Sequence, residues 1–464
     1  MLRRAHHRSF DFISKNLTTS QGINSVRKMA TASRVQLTTH EQPAFSVALT
    51  PDTARLTSEL LQENHDRHHI FFNKDGFHDH IAHHLLTTFA LNASPKQQQG
   101  HYDSNKGYQR PLEPLKKSAV SEMHDPSKLK SYLGKEQYYH DFLLFFQQEM
   151  DNTSWQDVVN QYLFSGNDLA NDMLARLMAG FLHPIIHLGF GIEFEQPAII
   201  AEGLAQAAVH DNYMRRFFEP TEKAVEANRS KPSKTMADLL DAIHDDKELR
   251  QAPRWSDGNK LRDGIMARAS DRIVSYACQW HVKPSELEEK TAEMINAAAY
   301  FTGGAQKPGK AIKYDFFYMH CVNCSIFFSS FLKQSWLSDA NKCRLLEWKV
   351  WNDLAMYASR KCPDIRLEDV RSYQPKQPSG WDRIIDRVKA FEDDGHGSKL
   401  VRALAHGQKA CAPYEDREAF RVKHDDWLQL GHMAIDSVEA GDPHWVRSAG
   451  FDEAWEKIPD RAHL

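Results

Sequence analysis

Between Asn64 and Thr88 the chain sets His65, His68, His69, His78, His80, His83 and His84 on apolar segments. Neutral imidazole is the commonest metal ligand among side chains, and it also titrates near neutrality. Metal binding is therefore the first chemistry to test against this stretch. Any one such histidine can equally be a core group bonded to a carbonyl or carboxylate, but burying many imidazoles without a use is costly. Thr50 and Pro51 open a helix that runs through Leu56, Leu60 and Leu61, which puts His65 and His69 on one face. Gly76 breaks it, and a second helix is predicted from about His78 to Ala90, with Ile81, Leu85 and Phe89 inward. At helical spacing His80 and His84 flank that apolar stripe while His83 points away. His80 and His84 are thus the expected inward pair, able at i, i+4 to reach one ion.

Further chemistry-bearing residues stand far downstream. In His183-Pro184-Ile185-Ile186-His187 the proline is expected to interrupt an apolar helix at the first histidine, and Gly189 and Gly191 allow close backbone approach. Gly189-Phe190-Gly191 lacks the third glycine and the strand–turn–helix setting of a dinucleotide fingerprint. The helix opened by Pro197 carries Glu202 and His210 as polar exceptions. His320 lies amid Phe316, Phe317, Tyr318 and Met319, and His396 and Lys399 stand at the entry of another apolar helix. Lys349 has Asp353 four residues on, an ordinary pair. Gly304 to Ala311 nearly spells a phosphate-binding loop, but the hydroxyl after the lysine and the preceding strand are missing, so it reads as a connection between helices.

The elements that must position these residues are almost all helical. Helix signals dominate from Thr50 onward, strands are few, and no repeat appears, so the expected fold is all-α, one large domain over residues 45–464. A loop from Asn92 to about Asp125 is long enough to cover a site. The polar stretch from Glu219 to Trp255, interrupted by one helix from Lys234 to His244, reads as a boundary or surface excursion. With 464 residues, 41% of them hydrophobic, the chain can build a large core. A net charge of −4 leaves no electrostatic footprint for nucleic acid, and no run of about 18 apolar residues suits a membrane span. The six cysteines form no disulfide framework, which fits a reducing compartment and a cytoplasmic location. Cys321 and Cys324 read as buried thiols. Residues 1–44 are set apart as an N-terminal extension. Its first 39 residues hold one acid, Asp11, a composition shared by mitochondrial transit peptides and by an upstream extension before a second start at Met29.

Several separated segments together resemble the questin oxidase-like family. They are Gly76-Phe-His-Asp-His-Ile-Ala-His-His-Leu-Leu86, His183-Pro-Ile-Ile-His-Leu-Gly-Phe-Gly-Ile-Glu193, Asp315-Phe-Phe-Tyr-Met-His320, Asp394-Gly-His-Gly-Ser-Lys-Leu-Val-Arg-Ala403 and Trp445-Val-Arg-Ser-Ala-Gly-Phe-Asp-Glu-Ala-Trp455. The resemblance spans about residues 45 to 460. It implies oxidation of an aromatic polyketide of the anthraquinone type in secondary metabolism, by Baeyer–Villiger-like oxygen insertion and ring opening, with NADPH as an associated reductant. Asp79 departs from the Asn usual at that place in the family, and adds a carboxylate that bears on metal charge or on bonding behind the ligands. Flavin would need a Rossmann-type glycine turn, and none is found. Oxygen activation then points to Fe(II), for which imidazoles are suitable ligands. The expected ligands are His80, His187, His320 and His396, with His84, His69 and His183 behind them. Lys399 and His84 are the expected catalytic groups; deprotonated or carboxylated, Lys399 is placed by its three-residue spacing from His396 to join the same metal or to act as a base. The partner is a small aromatic substrate; oligomeric state stays open. Alternatives are an NADPH-dependent oxidation without metal, a histidine–metal hydrolase, and a protein that only binds a pigment precursor.

Overall fold

The computed structural model describes residues 29–461. Among them the architecture is all-α, with isolated β-bridges and no sheet. Nine helices suffice to place the site: α1 (Pro51–Arg67), α2 (Ile81–Ala90), α3 (Ala179–Glu193), α4 (Pro197–Val209), α5 (Leu287–Gly304), α6 (Phe316–Leu332), α7 (Asp339–Ser359), α8 (His396–Cys411) and α9 (His424–Glu439).

Helices α2, α3, α6 and α8 form a closed ring of neighbours: α2 packs on α3 and α8, and α6 packs on the same two. Their sequences are apolar around most of the circumference, as helices at the centre of a large protein must be. Every residue of α2 is buried. Around this ring lie α4 against α3, α5 against α6 and α8, and α9 against α8. Gly189 and Gly191 are required by the closeness of the packing: a Cβ on Gly189 would fall 2.4 Å from the Phe327 ring, and one on Gly191 would fall 2.7 Å from the Ile200 backbone nitrogen. The close approach inferred from these glycines is therefore what α3 makes with α6 and α4.

One buried ion pair ties the ring together. Arg402 of α8 holds Glu193 at the end of α3 through two bonds of 2.7 and 3.0 Å, and its Nε donates to the Phe45 carbonyl at 3.0 Å. Such bidentate pairs fix orientation as well as charge. The expected Lys349–Asp353 pair also forms, wholly inside α7 and fully buried.

Several expectations change on folding. Residues 1–28, most of the stretch set apart as an N-terminal extension, lie outside the described residues. Residues 32–44, counted with them, pack on the body: Val35 and Leu37 are buried, and the Leu37 N–H donates to Ser58 Oγ at 2.8 Å. The stretch from Asn92 to Asp125 is not a bare loop but holds helices Pro95–Lys106 and Lys117–Met123. Ser94 caps the first of these with a full capping box. The segment from Glu219 to Trp255 is largely helical, and Met236–Asp245 buries Leu239, Leu240 and Ile243 against the body. The break near Pro184 lies upstream of it, at Gly180, Phe181 and Leu182, all with positive φ. Proline then occupies the first turn of the continuing helix, where its missing N–H costs nothing. Lys307 and Lys310, in the glycine-rich stretch, pair with Asp452 and Asp460. No single described helix is long and apolar enough to cross a membrane.

Candidate functional site

His80, His183 and His396 bring ligand atoms to a common point, and His320 of α6 stands beside them against His396. His80 is the N-cap residue of α2, held there because the Asp79 carboxylate accepts the Ile81 N–H at 2.8 Å. His183 begins the regular part of α3, and His320 lies one turn into α6. His396 opens α8, where Gly395 takes φ 88°, a conformation that favours glycine. Asp393 fixes that turn by accepting the Gly395 and Gly397 N–H groups at 2.7 and 2.8 Å. Burial, and then the neighbouring Asp394, raise the Asp393 carboxyl to about 7.

The hydrogen bonds fix how these four rings present themselves. His183 Nδ1 donates to the Gly180 carbonyl at 2.6 Å, and His320 Nδ1 to the Phe316 carbonyl at 2.6 Å. Asp394 accepts from both remaining rings: His80 Nδ1 at 3.1 Å and His396 Nδ1 at 2.5 Å. Burial alone would raise the Asp394 carboxyl, but His396 and His80 outweigh it and hold it well below the usual range. A carbonyl or carboxylate only accepts, so all four protons sit on Nδ1. All four Nε2 atoms then carry bare lone pairs, and they face one another. His80 Nε2 and His183 Nε2 are 2.8 Å apart, and His396 Nε2 and His320 Nε2 are 3.3 Å apart. Ligand atoms of His80, His183 and His396 all lie within 4.8 Å of one another. Bare lone pairs at such separations repel unless a cation lies between them. Nitrogens about 2.0–2.1 Å from one metal ion stand roughly 3.0–3.4 Å apart in adjacent positions, close to these spacings. An Nδ1 proton held by an acceptor behind each ring is the usual support of a metal-bound histidine. The donor set fits a first-row transition metal.

His187 does not join the four. Its Nε2 donates to Glu202 at 2.6 Å, and its Nδ1 faces His83 Nε2 at 3.1 Å. Helical geometry explains the substitution of His183 for His187: they lie a full turn apart on α3, and only the upper one reaches the level of His320 and His396. The expected outward direction of His83 is also corrected, since it is fully buried and stacks on Phe190 with centroids 5.2 Å apart. His84 points elsewhere than His80, because His80 precedes α2 rather than lying within it. The His84 ring lies 4.1 Å from that of His101, with both nitrogens unpaired among the described residues. His69 falls beyond the end of α1, so the pairing with His65 is lost; its Nε2 meets the Glu136 carbonyl at 3.1 Å. The extra carboxylate at Asp79 serves as a helix cap rather than a ligand.

Lys399 sits one turn along α8 from His396, 4% exposed. Burial lowers its ammonium to about 8, with Asp394 and Asp393 opposing. Beyond His187 runs a second polar chain. Glu202 accepts from His187 and, at 2.6 Å, from His65 Nδ1. Burial would raise that carboxyl, but bonds from His187 and His65 bring it down to about 2. His83 Nε2 meets His187 Nδ1, and His83 Nδ1 has no partner among the described residues. Asp394 and Glu202 were not singled out as site residues. The signals were present: an acid two residues before a histidine at a helix entry, and a lone Glu in an apolar helix.

A profile described as questin oxidase-like matches residues 77–404 of this chain. The chain belongs to the questin oxidase-like family. Its relatives include a Baeyer–Villiger oxidase of Pestalotiopsis fici, 39% identical over 440 residues, covering 93% of this chain and 99% of that protein. A questin oxidase of Aspergillus fumigatus is 37% identical over 444 residues, covering 93% and 100%. A Baeyer–Villiger oxidase of Emericella nidulans is 42% identical over 414 residues, covering 87% and 93%. The family match contains all four of His80, His183, His320 and His396 and their Asp394 support, and the chain is an oxidoreductase.

Proposed function

We propose that this enzyme oxidises a flat aromatic polyketide of the anthraquinone type with O₂, inserting one oxygen atom between a ring carbonyl and its neighbouring carbon to give a ring-expanded lactone, which addition of water then opens. The ligand set of this reading is His80, His183, His320 and His396, and Fe(II) is the metal. The observation that carries it is the convergence of His80, His183 and His396, with His320 Nε2 3.3 Å from His396 Nε2 and the Nδ1 of all four rings held by an acceptor. The family relationship to proteins named Baeyer–Villiger oxidases supports the oxidative class. Bound iron would supply a redox-active centre with open positions for oxygen.

The chain's own groups supply the rest. Asp394 keeps His80 and His396 in one tautomer. Lys399, with its ammonium brought near neutrality by burial, takes a proton from a phenolic hydroxyl and leaves the ring carbon electron-rich. Phe316 stands beside both His320 and His396, with ring centroids 4.9 and 5.2 Å away, and gives a flat substrate a face to lie on. Closure of the helical ring keeps water from competing. Placing one oxygen atom in the product and reducing the other to water consumes two electrons, and NADPH is the donor in this reading.

Elemental analysis of the purified protein, followed by O₂ uptake with an anthraquinone before and after chelation, tests it. Iron near one per chain and loss of uptake on chelation are expected. A metal-free preparation that turns over at full rate overturns the iron assignment. Product formed without oxygen overturns the oxidation itself and favours hydrolysis.

A further inference from the structure

Phe316 and Phe317 open α6, and each carries an arginine on its face. Arg447 stands 4.1 Å from the Phe316 centroid, and Arg360 stands 3.7 Å from that of Phe317. Arg447 is exposed, and an unpaired guanidinium there is unremarkable. Arg360 is another matter, because it is 1% exposed. Among the described residues no carboxylate lies within ion-pair distance of it, and no acceptor takes a hydrogen bond from its guanidinium; Nε is wholly enclosed and unpaired. A buried charge without a partner is expensive and seldom left so.

The carboxylate that acts on it most strongly at a distance is Asp315. That group is already committed. Its Oδ1 accepts the Phe317 and Tyr318 N–H groups at 2.8 and 3.0 Å, and its Oδ2 accepts those of Ser448 and Ala449, both at 2.7 Å. These bonds strap the C-terminal Trp-Val-Arg-Ser-Ala segment onto the start of α6. The Gly450 N–H then donates to the Arg360 carbonyl at 3.1 Å. The strap therefore orders the surroundings of both arginines without neutralising either. Arg360 also borders the proposed oxidation site. Phe317 touches Phe181 with centroids 4.6 Å apart, Phe181 is two residues from His183, and Phe316 adjoins His320 and His396.

We propose that Arg360 is the substrate-anion receptor of this enzyme: its guanidinium binds an ionised carboxyl or phenolic oxygen of a flat aromatic substrate lying along Phe317 and Phe316, with Arg447 at the outer edge. The planar fork of guanidinium matches a carboxylate through two parallel bonds, and the aromatic rings beside it match a planar skeleton. This deepens the oxidation reading and rests on it for the identity of the ligand as substrate.

The test measures binding by full-length holoenzyme of two probes, anthraquinone-2-carboxylate and its methyl ester, by titration calorimetry. Wild-type protein is expected to bind the acid about tenfold more tightly or better, one charge-assisted bond being equivalent to about 1.4 kcal/mol or more. In Arg360→Gln that preference should fall to about twofold while ester affinity and metal content stay unchanged; Arg360→Lys should retain part of it. Equal binding of acid and ester by wild type overturns the proposal, and this comparison needs no variant to fold. So does an acid preference that survives Arg360→Gln, or a loss confined to NADPH binding, which would assign Arg360 to a nucleotide phosphate. Selective acid binding, with no oxygen uptake on a hydroxylated anthraquinone either, would overturn the oxidation reading and leave the receptor assignment standing.

Discussion

Replacing Asp394 by Asn should uncouple metal binding from the fold. The carboxylate accepts Nδ1 protons from two ligand rings at 3.1 and 2.5 Å, and an amide of the same size has only one accepting atom. Whichever ring meets the amide N–H₂ must break its bond or move its proton to Nε2, where it blocks coordination. Asp394 supports two rings and Asn keeps one acceptor, so one support is lost, which typically costs about 10- to 100-fold in metal affinity, or roughly 1.4 to 2.8 kcal/mol at 1.4 per decade. Anaerobic titration of apoprotein with Fe(II) or Co(II) against a competing chelator reads this directly. A melting curve of the apoprotein separates it from unfolding. An Asp394→Asn protein that binds metal as tightly as wild type would show that the four rings do not form a metal site supported in this way.

Other expectations follow from the same geometry. His183→Ala should abolish stoichiometric metal, whereas His187→Ala should retain it, as elemental analysis of both will show. Lys399→Met should remove the limb of the rate profile that rises with pH toward about 8, the value to which burial brings this lysine; a profile unchanged in shape would free Lys399 from any role as base. Glu202→Gln leaves His65 and His187 competing for one accepting oxygen, and removing one partner from such a buried set costs about 3–5 kcal/mol, measurable by urea denaturation. Acid should destabilise the protein through His406, whose imidazole burial lowers to about 3. The unfolded chain takes up the proton below about 6.5 and the folded chain does not, so stability falls as pH drops. At pH 5 the loss is about 2 kcal/mol from this group, at 1.36 per pH unit, and His406→Gln should remove it from a comparison of unfolding at pH 7 and pH 5.

The helices were legible because periodicity and caps are local. Pro51, Ser338 and the apolar run from Phe316 onward each announce an element within a few residues, and the structure places helices at all three. Which face of a helix a histidine occupies depended on where the helix starts. His80 was read as lying inside α2, and one missing turn of helix changed the partners of His80, His83 and His84 together. His183 and His187 posed the same difficulty in reverse. Proline marked a disturbance, but the left-handed residues that make it lie at Gly180, Phe181 and Leu182, and the direction in which α3 leaves that break decides which histidine faces the ring. Of the three histidines whose ligand atoms lie within 4.8 Å of one another, the sequence points to His80 and His396 as ligands and holds His183 behind them.

What no local pattern could supply is the reason why these imidazoles tolerate one another. Burial keeps His183 and His320 neutral, so these two rings cost desolvation and offer no charge pairing in return. The four rings come from helices already fixed against one another by glycine contacts and by the Arg402–Glu193 pair. The scaffold therefore has to carry the cost of facing lone pairs before any ligand arrives. A preorganised set of this kind binds a cation without spending further chain entropy, and bound metal stabilises only the folded state. Metal loading should then raise the melting temperature of wild-type protein, and it should do so less after any substitution that frees a ring from its Nδ1 acceptor. That coupling distinguishes a metal site from a mere polar core, since a polar core has no cation whose concentration moves the melt.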